Sequence, residues 1–335
     1  MLSRIADSLF WIGRYIERAD GTARMVDVLR LSLIEDPGQD ENYTSWMLLG
    51  GIMGLDDVNP DVTYADVASR LVFDADNPSA ISGSWLAARE NARRARETLS
   101  TELWEVINTS WHRWNGLGAQ TATQQHLGWV TERAALVAGI ADSTMSHDEA
   151  WDFLSLGRSL ERADMTARIV ATGAIDGGPN WGVVLASCGA QQAMLRTMRG
   201  VITDRTAAAF LSLDRRFPRS VLASLREAED RLTTLSPDTD RVGFSDEARR
   251  ILGQTRTQLE YADPDDVLDD LPAMMGLVQE SVTQASDAIG ARYFMSGPVQ
   301  EWTGEILLVP DGTASCTGRS CATTATSSPR TTSCG

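Results

Sequence analysis

An all-α fold follows from three features of the chain. Apolar residues recur at steps of three and four, Pro and Gly breaks divide the chain into helix-length pieces, and no piece alternates apolar and polar residues long enough for a strand. The opening segment shows the pattern best, with Ile5, Leu9, Ile12, Ile16, Ala19, Ala23 and Val26 forming one stripe of a helix over residues 2–33, which Asp36, Pro37 and Gly38 end. The same reading predicts helices over 41–53, 64–73, 79–114, 121–143, 147–172, 180–213, 219–234, 245–262 and 265–295. Breaks fall at Pro60, Pro78, Gly116 to Gly118, Gly177 to Pro179, Pro218, Pro237 and Pro264.

Two distant segments repeat one another. Gly13-Arg14-Tyr15-Ile16-Glu17-Arg18-Ala19-Asp20-Gly21-Thr22-Ala23-Arg24 lines up with Gly157-Arg158-Ser159-Leu160-Glu161-Arg162-Ala163-Asp164-Met165-Thr166-Ala167-Arg168. Weaker matches follow in the same order, among them Leu71, Phe73, Asp74 and Pro78 on Leu211, Leu213, Asp214 and Pro218. The expected architecture is a helical bundle built by tandem duplication, with halves 1–145 and 146–295. Residues 296–335 end in a Ser/Thr/Cys-rich tail that carries too few large apolar side chains to form a core and is expected to be disordered.

Composition narrows the chemistry. The chain has 335 residues, 43% hydrophobic and 23% charged, and all 30 basic residues are arginine. Without lysine there is no Schiff-base amine and no P-loop lysine. A net charge of −16 argues against a nucleic-acid footprint. Cys188 reads as a small core residue, and the tail cysteines Cys316, Cys321 and Cys334 lack the spacing of a zinc knuckle. Residues three before His112, His126 and His147 are threonines, so the Glu-x-x-His pair of a di-iron bundle is absent. No metal or cofactor is expected. Charges at Arg4, Asp7, Arg14 and Glu17 interrupt any signal-peptide core, and the longest uncharged stretch is too polar to span a bilayer, so a cytoplasmic protein without membrane contact is expected.

The repeated motif is the leading candidate site. On a helical wheel Ile5, Ile12, Ile16, Ala19 and Ala23 share one side, while Arg14, Glu17, Gly21 and Arg24 lie on the other with Phe10, Met25 and Val28. A helix apolar on both sides is central, which places these charges in a buried layer. Helical spacing pairs Glu17 with Arg14 and Asp20 with Arg24, and in the second copy Arg158 with Glu161 and Asp164 with Arg168; Arg18 and Arg162 complete the set. One reading is an internal network that holds helix register. The other is a site in which paired arginines hold an anion while glutamates serve as acid and base on an amide or ester. A second candidate, Arg89, Glu90, Asn91 and Arg93, has no counterpart in the other half and reads either as a paired surface or as a site for an anion or acidic partner.

These motifs, together with Leu2-Ser3-Arg4, Asp76-Asn77-Pro78-Ser79, Ala88-Arg89-Glu90-Asn91-Ala92-Arg93 and Glu102-Leu103-Trp104-Glu105, give a chain that resembles the bacterial alpha-E family over about residues 1–295. That family is a helical domain of unknown function named for its Glu-Arg motif, matched here by Glu17-Arg18 and Glu161-Arg162, with Arg89, Glu90 and Asn91. The resemblance implies work beside a circularly permuted ATP-grasp-type ligase, often with a transglutaminase-like protein, in peptide or amide-bond synthesis or modification. An accessory module with no catalytic activity of its own is the leading expectation, and an enzyme using the repeated Glu-Arg motifs is the alternative.

Overall fold

The computed structural model describes residues 1–35, 43, 45, 52–53, 58–59, 61–116, 123–174, 180–197, 200–237 and 241–294. Among these there is no strand, and the chain is all-α. The helices are α1 (Ser3–Glu35), α2 (Tyr64–Ala68), α3 (Ile81–Arg94), α4 (Thr101–Asn115), α5 (Gln124–Thr144), α6 (Glu149–Gly173), α7 (Trp181–Ser187), α8 (Gln191–Thr197), α9 (Asp204–Leu213), α10 (Val221–Leu235), α11 (Glu247–Tyr261), α12 (Pro264–Asp269) and α13 (Leu271–Tyr293), with a π-helical turn (Ser69–Phe73) continuing α2.

Two closed rings of four helices organise the molecule. In the first, α1 packs on α3 and α5, and α4 closes the ring against the same two helices. In the second, α6 packs on α10 and α13, and α11 closes it. The most extensive helix contact is α1 against α6, which joins the rings, so both helices are covered on several sides. The predicted stripe of α1 is buried from Ile5 to Val26, and Phe10 and Met25 on its other side are buried too. A single apolar core runs through both rings.

Matching turns lead into α3 and α10. Asp74 Oδ1 accepts from the Asp76 and Asn77 amides, and Asp214 Oδ1 accepts from those of Arg216 and Phe217. Each turn then reaches a proline whose carbonyl accepts a serine hydroxyl, Ser84 on Pro78 and Ser224 on Pro218. Thr22 of α1 donates to the Ser79 carbonyl, and Thr166 of α6 to that of Arg219. The side chains of Asp74 and Asp214 thus satisfy amides that would otherwise be orphaned ahead of a helix.

Three expected helices are divided. The 79–114 segment breaks after Arg94, and α4 restarts with Ser100 accepting from the Leu103 amide, a cap that needs neither Gly nor Pro. The 180–213 segment is split at Gly189, whose φ of +62° suits glycine, and again at Thr203, which caps α9. The 265–295 segment divides at Asp270, with Pro272 in the first turn of α13, a position where a missing N–H costs nothing. His147 lies just ahead of the cap Asp148 rather than in the first turn, and stacks on Trp151 with 4.0 Å between ring centres. Most of the helix expected over 41–53, and the tail expected over 296–335, fall outside the described residues.

Candidate functional site

Two glycines set the geometry of the site. A Cβ on Gly13 would lie 2.1 Å from the Leu154 carbonyl oxygen, and one on Gly157 would lie 2.0 Å from that of Phe10. Backbone therefore meets backbone where α1 crosses α6. The Glu-Arg segments that follow each glycine are brought face to face, and the charges pair across the crossing.

Glu161, 1% exposed, accepts from Arg14 Nε at 2.7 Å and from Arg18 through Nε at 2.5 Å and Nη2 at 2.9 Å. Glu17 is held reciprocally, with Arg162 Nε at 2.9 Å and Arg219 Nη1 donating to its other oxygen. Arg219 also donates to Asp20, which receives Arg24 Nε at 3.0 Å, while Asp164 receives Arg168 Nε at 3.0 Å. Arg14 spends its remaining reach on Ser286 of α13, 2.8 Å away.

Burial works against charge on both glutamates, and the arginines overcome it. Desolvation pushes the Glu161 carboxyl up, yet Arg14 and Arg18 bring it down to about 2. Glu17 is opposed by the same burial and is held below the ordinary glutamate value by Arg219 and Arg162. Arg219 and Arg18 rise above the usual arginine value, because the attraction of their acid partners exceeds the burial penalty on each. A carboxylate so stabilised has no proton to donate at neutral pH and is a weak base. What this arrangement can do is lock two helices in register.

The expected local pairs divide into two groups. Asp20–Arg24 and Asp164–Arg168 form within their helices. Arg14–Glu17 and Arg158–Glu161 do not, because each glutamate faces the opposite helix, where an approach between glycines brings guanidinium groups nearer than the i−3 neighbour on its own helix. Arg219 went unforeseen. Its only signal is that the repeat sets it against Ser79, a change of residue type inside an otherwise matching turn.

Among the described residues Arg158 makes only long polar contacts, 3.6 Å to Asp142 Oδ1 and 3.5 Å to Ser155 Oγ. The second candidate group sits on α3: Arg89 bonds Asn108 at 2.9 Å and Glu90 at 2.7 Å, Arg93 bonds Glu90 at 3.0 Å, and Asn91 donates to the Ala87 carbonyl of its own helix. Arg89, Glu90 and Arg93 pair with one another and, through Arg89, with α4, and Arg93 is exposed.

Burial pushes the Cys188 thiol up to about 12, so it stays protonated at neutral pH. Among the described residues no three His, Cys, Asp or Glu side chains group to hold a metal ion, and no helix is long and apolar enough to cross a membrane.

The Alpha-E family model, described as a predicted alpha-helical domain with a conserved ER motif, matches residues 1–294. Uncharacterised proteins of Mycobacterium bovis and Mycobacterium tuberculosis are each 24% identical over 299 residues, covering 79% of this chain and 33% of their own length. The chain thus spans about a third of the curated relatives it matches. No solved structure matches it.

Proposed function

Because the chain belongs to the Alpha-E family of helical domains, we propose that it is a non-catalytic accessory module that docks on, or presents substrate to, a circularly permuted ATP-grasp-type ligase in peptide or amide-bond synthesis or modification. A transglutaminase-like protein is a further partner in this reading. The observation that carries it is the saturation of Glu17 and Glu161: both carboxylates are already committed to arginines inside the crossing, which favours a brace over an acid–base pair. The matched unit is a third of its relatives' length, which suits a module that works joined to other parts. The reading sets it in the bacterial cytoplasm, where a ligase has its ATP. We also propose that the two rings descend from a tandem duplication, which accounts for their like order and for the paired turns at Asp74 and Asp214.

The test is reconstitution. The purified chain, mixed with the ATP-grasp-type ligase of the same cell, is expected to co-elute at near-stoichiometric ratio and to raise ligase turnover. Separate elution with unchanged turnover overturns the proposal.

A further inference from the structure

Positive charge around the crossing exceeds what its acids neutralise, and the excess sits at Arg158. Arg14, its counterpart in the repeated motif, has Glu161 and Ser286 at 2.7 and 2.8 Å. Among the described residues Arg158 has no hydrogen-bond or ion-pair partner closer than 3.5 Å, and its buried Nε finds no acceptor. Its ion-pair partner, Asp142, is half-exposed and also accepts from Trp151 Nε1 at 3.1 Å, and Glu17 and Glu227 attract Arg158 only from a longer range. The Arg158 side chain is only 14% exposed. Burial, with Arg162 as a like charge nearby, holds Arg158 below the ordinary arginine value, the opposite of Arg18 and Arg219. A desolvated cation with weak counter-charge gains from any anion that reaches it.

An anion has a way in. A cleft of about 450 Å³ opens between α6, the turn before α10 and α10 itself, lined by Arg158, Arg162, Arg215, Arg226, Glu227 and Asp230. That volume is within the range of small-molecule sites. Arg162 and Arg215 already answer Glu17 and Glu260, which leaves Arg158 inside and the exposed Arg226 to meet a ligand. Glu227 and Asp230 in the same lining repel a doubly charged phosphate more than a single carboxylate. We propose that this cleft binds a small carboxylate-bearing molecule through Arg158 and Arg226. The site is separate from the ligase reading and stands without it.

Nitrogen-15 NMR of the arginine Nε–H groups tests this on the intact chain, with sodium acetate, inorganic phosphate and sodium chloride titrated at matched ionic strength. The Arg158 signal is assigned from its loss in Arg158→Lys. Acetate is expected to move that signal saturably, with an apparent dissociation constant at least threefold weaker in Arg226→Gln, an exposed change that leaves the fold intact, and unchanged in Arg93→Gln on the other ring. A shift that fails to saturate, or that chloride reproduces, overturns the site. Tighter binding of phosphate than of acetate overturns the ligand class. Wild-type affinity in Arg226→Gln overturns the location.

Discussion

Glu161 accepts three hydrogen bonds from Arg14 and Arg18, so its charge belongs to the fold. Its carboxyl is lowered from 4.5 to about 2, and a depressed acid contributes stability that is complete above its unfolded value and disappears as pH falls through the folded one. Unfolding free energy is therefore expected to decline between pH 4.5 and 2. Glu161→Gln, which strands the buried Arg14 and the partly buried Arg18, is expected to cost about 3–5 kcal/mol at pH 7 and to flatten that decline. Urea denaturation across this pH range measures both, and an unchanged slope in the variant contradicts the pairing. Combining Glu161→Gln with Arg18→Met should show coupling of about 1–3 kcal/mol, the signature of a bond between helices.

The helices α1 and α6 touch through their glycines, and a mid-helix glycine costs about 1 kcal/mol relative to alanine, so each must be repaid by what its missing Cβ permits. At Gly13 and Gly157 that is a backbone approach no rotamer change can relieve, since the obstructing atoms are carbonyl oxygens. Gly13→Ala and Gly157→Ala are each expected to destabilise by about 3 kcal/mol, at the upper end of overpacking costs. Gly139→Ala, on an exposed face of α5 with nothing within 4 Å, should stabilise by about 0.5–1 kcal/mol. Thermal melts of the three variants check the contrast; equal effects at all three positions contradict the close crossing.

At the scale of the molecule, the rings meet through the contact of α1 with α6, and separating them exposes the ionic network with its apolar surround. Unfolding is expected to be a single transition. Trp85 reports on the first ring and Trp151 on the second, so tryptophan fluorescence and far-ultraviolet circular dichroism should share one urea midpoint. Two separated midpoints would mean that each ring folds alone.

Helix periodicity and the repeated Glu-Arg motif were readable from the order of residues, because the apolar stripe of a helix is a local property and an internal repeat needs only comparison. The burial of the motif followed too, since Phe10, Met25 and Ile12 leave α1 no polar side. Helix ends at Ser100 and Asp270 were not legible: a serine cap and a proline in a first turn are compatible with a continuous helix until the neighbouring chain is in place. Nor was the choice of partner for each charge. Glu17 has Arg14 one turn away on its own helix, yet it pairs with Arg162 and Arg219, from α6 and the turn before α10. Spacing along a chain ranks neighbours by sequence, whereas ion pairing ranks them by distance after packing. Only the close backbone approach at two glycines, where a Cβ would fall about 2 Å from a carbonyl oxygen, decided that distance, and it is a tertiary fact.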